Sequence, residues 1–155
     1  MDQELISLYQ RFIGCSIEEL AMEILDLAKR VSSDSKVIYR VKSSETLDKK
    51  MALKKVRSIF DIHDVYALRV LTSSVEESYE ILAVVTKAFR SFLDHDYIKN
   101  PKYHPDEPNL DERSLRLIQV IAYRSNTPFE IQITTLEFNE INESFHDQYH
   151  REKYH

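Results

Sequence analysis

Glycine is almost missing from this chain: Gly14 is the only one in 155 residues. A Gly-rich phosphate loop needs backbone conformations and close approaches that only glycine allows. The dinucleotide fingerprint and the Walker loop are therefore both excluded. Cysteine is as scarce, and the lone Cys15 rules out an intramolecular disulfide and fits a reducing compartment. Long hydrophobic runs are lacking too. No stretch approaches the roughly 20 apolar residues of a membrane-spanning helix, and the opening MDQELISLYQRF carries acids where a signal peptide would carry bases. The expectation is a cytoplasmic protein with no membrane partner. Among the six histidines, His146 and His150 are four apart, but no HExxH pattern accompanies them, so no zinc site is predicted.

What is present is charge, unevenly spread. The net charge of −5 argues against general nucleic-acid binding. Yet Lys36, Arg40, Lys42, Lys49, Lys50, Lys54, Lys55 and Arg57 stand against only Glu45 and Asp48 in the same stretch. A local basic excess inside an acidic protein suggests an anionic ligand; a solvated helix face is the other reading of the charge alone.

Hydrophobic spacing predicts helices over 4–12 and 17–31, the second opened by a Ser16–Glu19 capping box. A strand follows over 36–42, then a basic helix over 45–56 capped by Ser43 or Ser44. Residues 66–71 read as a strand and 75–92 as an amphipathic helix with Tyr79 and Phe89 in its core stripe. The proline-bearing stretch 94–113 reads as a long loop. Strands over 114–123 and 129–135 would form a hairpin around Ser125–Pro128, and 136–155 a polar helix. Cys15 reads as a small buried residue in a turn. This order predicts one α/β (α+β) domain over 1–155, a mixed sheet flanked by helices. Within it, 1–35 would be N-terminal helices, 36–135 the core and 136–155 a C-terminal helix.

Two constellations could carry chemistry. Arg40 and Lys42, two apart, share one face of their strand. A cap near Ser43 would turn the next helix's N-terminus, with Lys49 and Lys50 behind it, toward the same anion. The second is a pair of carboxylates. Phe129, Ile131 and Ile133 alternate with Glu130, Gln132 and Thr134, which puts Glu130 on the polar face of a central strand. Asp64 precedes the strand at Tyr66. Two such carboxylates could hold magnesium together with substrate phosphates, and one could deprotonate a hydroxyl. Alternatively, Asp64 caps a turn and Glu130 pairs with a lysine.

The segments YRVKSSETLDKKM, DIHDVYALRVL, DYIKNPK and PFEIQITT together resemble the synthetase domain of the RelA/SpoT family, over about Ile38 to Thr135 and more loosely beyond. The resemblance implies that family's nucleotidyltransferase-like fold and transfer of pyrophosphate from ATP, with Mg2+, to the 3′-hydroxyl of GDP or GTP. By the same resemblance, Arg40, Lys42, Thr46 and Lys50 would hold ATP, Thr46 standing where the family has serine. Arg40 and Arg69 would sandwich the adenine. Asp64 and Glu130 would bind the metal, and Glu130 would activate the acceptor hydroxyl. Lys102, Ser114, Arg116, Gln132 and Asn139 would serve the acceptor side.

The same comparison marks departures. The family's acceptor loop reads Gly-Tyr-x-Ser-x-His, its tyrosine stacking on guanine. Here DERSLR puts Asp111 and Glu112 in place of Gly-Tyr, keeps Ser114, and has Arg116 for the histidine; Thr134 stands where the family has arginine. An acidic insertion, YHPDEPNL, precedes it, with Tyr103 as a substitute stacking residue. These departures leave a second class of function open: a catalytically degenerate nucleotide-binding or regulatory module of the same fold. They also leave open another acceptor, a tRNA 3′ end or an adenosine nucleotide, as well as a homo-oligomer or a protein partner.

Overall fold

In the computed structural model of the protein, residues 2–43, 49–50, 58–101 and 115–143 are described. The chain opens with two helices, α1 (Asp2–Ile13) and α2 (Ile17–Lys29). Gly14 ends α1 at a φ of 76°, and its N–H reaches back to the Gln10 carbonyl at 3.1 Å. This is the left-handed C-terminal position that glycine occupies without steric cost. The Ser16–Glu19 capping box at the start of α2 is formed in both directions. Cys15, between the helices, is half-buried rather than buried.

The strands are β1 (Lys36–Val41), β2 (Tyr66–Thr72), β3 (Arg90–Asp96), β4 (Ile118–Arg124) and β5 (Thr127–Thr135). Helix α3 (Val75–Ala88) joins β2 to β3, a 3₁₀ turn covers Ile59–Asp61, and residues 136–143 are helical. The sheet is mixed, ordered β1-β2-β5-β4-β3, with only the central β2–β5 pair parallel. No helix among the described residues is long and apolar enough to cross a membrane.

One face of the sheet is the core. Tyr66, Leu68 and Val70 of β2, Phe129, Ile131 and Ile133 of β5, and Ile118, Val120 and Ala122 of β4 pack against the three helices. From the helices come Tyr9, Ile13, Leu20, Ile24, Ala28, Ile81 and Val85. Each buried leucine, isoleucine, valine or phenylalanine among them contributes about 1.5–3 kcal/mol. The strand residues between them point to the opposite face.

Three expectations are corrected here. The helix expected over 75–92 ends at Ala88, and β3 occupies the start of the expected loop. Phe89 already has extended dihedrals, and as an edge strand β3 is exposed at five of its seven positions, so it carries no period-two pattern to read. Tyr79 is half-buried rather than core, its hydroxyl donating to the Asp96 carboxylate at 2.7 Å. The hairpin turn is shorter than expected, two residues, Ser125 and Asn126, with φ of 50° and 59°. That is the mirror-image turn whose twist suits a hairpin. Of the basic helix over 45–56, only Lys49 and Lys50 are described, and both are helical.

Candidate functional site

Antiparallel pairing of β1 with β2 carries Lys42, just past β1, to the start of β2: its N–H bonds to the Val65 carbonyl at 2.8 Å. There the Lys42 ammonium meets Asp64 Oδ2 at 3.0 Å, and the Lys50 ammonium engages Oδ1. Burial works against the Asp64 charge, but the two lysines outweigh it and hold the carboxyl well below the usual range. Lys42 is itself buried, which draws its pKa down despite Asp64; Lys50 and Arg40 nearby add to that fall. In this structure the two ammonium groups satisfy both oxygens of the Asp64 carboxylate.

Glu130 stands in the middle of β5, opposite Ala67 of β2 on one side and Ile121 of β4 on the other. Only 4% of it is exposed. The Gln119 side-chain amide donates to its Oε1, and the Gln132 amide donates to Oε2 at 3.3 Å. Burial, with the Asp64 charge adding, pushes its pKa up to about 7, although Lys50 and the two amides pull the other way. A carboxylate that exchanges its proton near neutrality is suited to acid–base work.

Beside them, Arg69 is held on three sides. Its Nε donates to Gln132 Oε1 at 2.7 Å, and Nη1 donates to Asn139 Oδ1 at 2.8 Å and Glu143 Oε1 at 2.7 Å. Between Arg69 and Arg40 lies a cleft of about 130 Å³, floored by Ala67 and closed by Gln132 and Glu143. Pockets for whole drug-sized ligands run on the order of 300–1,000 Å³, so this recess suits a single planar group flanked by guanidinium faces.

The open face thus brings together Arg40, Lys42, Lys50, Asp64, Arg69, Glu130 and Gln132. Asn139 joins them through Arg69, so both Gln132 and Asn139 serve that guanidinium in this structure. Arg116 is fixed differently. Its N–H donates to Asn142 Oδ1 at 2.7 Å, its carbonyl accepts from Thr134 at 2.7 Å and Asn142 at 2.9 Å, and its guanidinium lies 5.4 Å from the Phe138 ring centre. Thr46, Lys102, Tyr103 and Ser114 lie outside the described residues.

Three contributors were not singled out in the sequence: Gln119, Glu143 and the fully buried Asn142. Gln119 is the one polar residue in the run LIQVIAY, a signal that was there to find. Glu143 lies four residues after Asn139, on the same helix face.

Among the described residues no three His, Cys, Asp or Glu side chains are grouped to hold a metal. Magnesium asks for less, commonly one or two carboxylates with phosphate oxygens and water completing the shell. Asp64 and Glu130 would supply that donor set once Lys42 and Lys50 turn from Asp64 to phosphate oxygens.

A family model described as a region found in RelA/SpoT proteins matches residues 39–154. A guanosine-3′,5′-bis(diphosphate) 3′-pyrophosphohydrolase of Spiroplasma citri is 34% identical over 133 residues, covering 84% of this chain but 16% of that protein. The chain therefore spans about one sixth of that relative's length. Among solved structures, a GTP pyrophosphokinase family protein from Streptococcus pneumoniae superposes with a TM-score of 0.70 at 21% identity, over 96% of this chain and 76% of that one. The small alarmone synthetase 1 of Bacillus subtilis, bound to its product pppGpp, gives 0.70 at 16% identity, over 97% and 82%.

Proposed function

Because the chain belongs to the RelA/SpoT family, we propose that it transfers pyrophosphate from ATP to the 3′-hydroxyl of a guanosine nucleotide. The family resemblance drawn from its four segments is borne out, and the mixed sheet has the fold of that family's synthetases. One observation supports the reading above all: the Arg40–Arg69 cleft opens beside Lys42, Lys50, Asp64 and Glu130 on one sheet face.

On this reading the adenine enters the cleft, between the two guanidinium planes. Its triphosphate runs toward Lys42 and Lys50, which leave Asp64 in part to meet the phosphate oxygens. Such transfer asks for positioned phosphates and charge neutralisation rather than covalent chemistry by the protein. Magnesium, held by Asp64 and Glu130, would supply charge neutralisation at the phosphates. Glu130, buried on the sheet face, accepts the proton from the acceptor's 3′-hydroxyl as that oxygen attacks the β-phosphorus and AMP departs. Gln119 orients the carboxylate throughout.

Radiolabelled ATP incubated with magnesium and, separately, GDP, GTP, ATP and tRNA tests the assignment. Labelled product with GDP or GTP is expected, and Glu130→Gln should abolish it while an ATP analogue still binds. Label passing only to ATP or tRNA would change the acceptor and keep the chemistry. The residues Asp111 and Glu112, where the family has Gly-Tyr, favour a second reading, a nucleotide-binding module without turnover. It predicts analogue binding with no labelled product from any acceptor.

A further inference from the structure

The open sheet face carries a cluster of rings that none of these assignments uses. Phe92 of β3 and Tyr123 of β4 lie 6.4 Å apart by ring centroids. His63, the residue before Asp64, meets Phe92 edge-on at 6.4 Å. The Arg90 guanidinium lies 4.7 Å from the centre of the Tyr123 ring. Phe92 is 44% exposed.

Register places the cluster against the candidate site. Phe92 is opposite Ile121, and Ile121 is opposite Glu130. The rings therefore share the face of Glu130, with two strand spacings, about 10 Å, between the backbones. Ile121, buried at 1% exposure, floors the gap. The Arg40–Arg69 cleft lies on the other side of Glu130, over β1 and β2. Glu130 thus has a guanidinium-walled recess on one hand and an aromatic ledge with a cationic edge on the other.

We propose that the exposed Phe92 ring, backed by Tyr123 and edged by His63, is the stacking surface for the base of the nucleotide that receives the pyrophosphate. The proposal rests on the transfer reading above and adds to it where the second base goes. One base lodges between Arg40 and Arg69, the other lies on the rings, and the ribose hydroxyl to be modified spans the gap to Glu130. A ring surface on β3 and β4 is what a chain with Glu112 in its acceptor loop lacks there, since a carboxylate cannot stack. Stacking engages the π-face and not the hydrogen-bonding edges of a base, so this platform receives adenine and guanine nucleotides alike.

The test uses the full chain saturated with a non-hydrolysable ATP analogue and magnesium, titrated calorimetrically with GDP and with ADP. Phe92→Ala and Tyr123→Ala should each weaken both nucleotides about tenfold, in keeping with the loss of one base–ring stack. Phe92→Trp should keep full affinity. Phe92→Leu, which keeps apolar cover over Ile121 but removes the ring, should behave like the alanine variant and guards against a folding defect. Affinity for the ATP analogue should not change in any of them. Unaltered GDP and ADP affinity in the alanine and leucine variants, with analogue binding intact, overturns the platform alone. Failure of the wild-type chain to bind the analogue at all removes the transfer reading and the platform with it.

Discussion

Arg69 and Gln132 stand opposite each other across the parallel β2–β5 pair, and the Arg69 Nε donates to the Gln132 side chain at 2.7 Å. With Asn139 and Glu143 taking Nη1, the guanidinium plane is fixed before any ligand arrives. A pre-set plane lowers the ordering cost of binding a flat group against it.

Arg69→Lys should therefore weaken binding of an ATP analogue by at least tenfold, because an ammonium offers neither the plane nor the fork. Glu143→Gln should cost less, about threefold, since the Glu143 carboxylate is more than half exposed and its pairing is screened. Calorimetry on the two variants checks the order, and equal losses would contradict it.

Glu130 gives a pH signature in the absence of magnesium and nucleotide. Its folded pKa is raised from 4.5 to about 7, so its stabilising contribution is complete below the lower value and is lost as pH rises through the upper one. Above pH 7 the fold carries a buried charge at a cost of about 3 kcal/mol. Glu130→Gln removes that charge. Urea denaturation should find the variant more stable than wild type at pH 8, with the advantage shrinking toward pH 5. An advantage independent of pH would show that burial does not shift this group.

Asp64 and Lys42 behave as a buried pair. Asp64→Asn leaves the Lys42 ammonium buried beside Lys50 without its counter-charge, and should destabilise the fold by about 3 kcal/mol. The double change Lys42→Met with Asp64→Asn should restore most of the loss. Denaturation midpoints of the two singles and the double form the cycle that decides it; simple additivity would mean the two side chains are not coupled.

Much of this was legible in the sequence because it rests on alternation. Glu130 and Gln132 alternate at period two with Phe129, Ile131 and Ile133, which puts both on the polar face of β5; Asp64 and Arg69, an odd five residues apart with Asp64 before the strand, are not brought together by alternation. Strand β3 was not legible, since an exposed edge strand has no inner face to impose a pattern, and its Phe92 continued the helical spacing of Val85 and Phe89. The lysine grip on Asp64 and the triple hold on Arg69 come from chain segments far apart, joined by sheet register and the helix after β5, which no local spacing encodes.

The β4–β5 hairpin offers a test remote from the site. Ser125 and Asn126 both adopt positive φ, which costs a non-glycine residue on the order of 1 kcal/mol. The Asn-Gly sequence suits this turn best, so Ser125→Asn with Asn126→Gly should stabilise the fold by about 1 kcal/mol and leave ligand binding unchanged. A loss of stability would mean that the turn is held by contacts other than its dihedrals.

Among the described strands β5 comes last, yet it occupies the centre of the sheet, between β2 and β4. Arg69 and Gln132 are 63 residues apart. The two-residue turn lets β5 pair with β4 locally, whereas its parallel pairing with β2 must join segments far apart in the chain. Such distant pairing is slow and leaves edges open to wrong partners meanwhile. It also means that Glu130 meets the residues of β1 and β2 only when that parallel pairing forms.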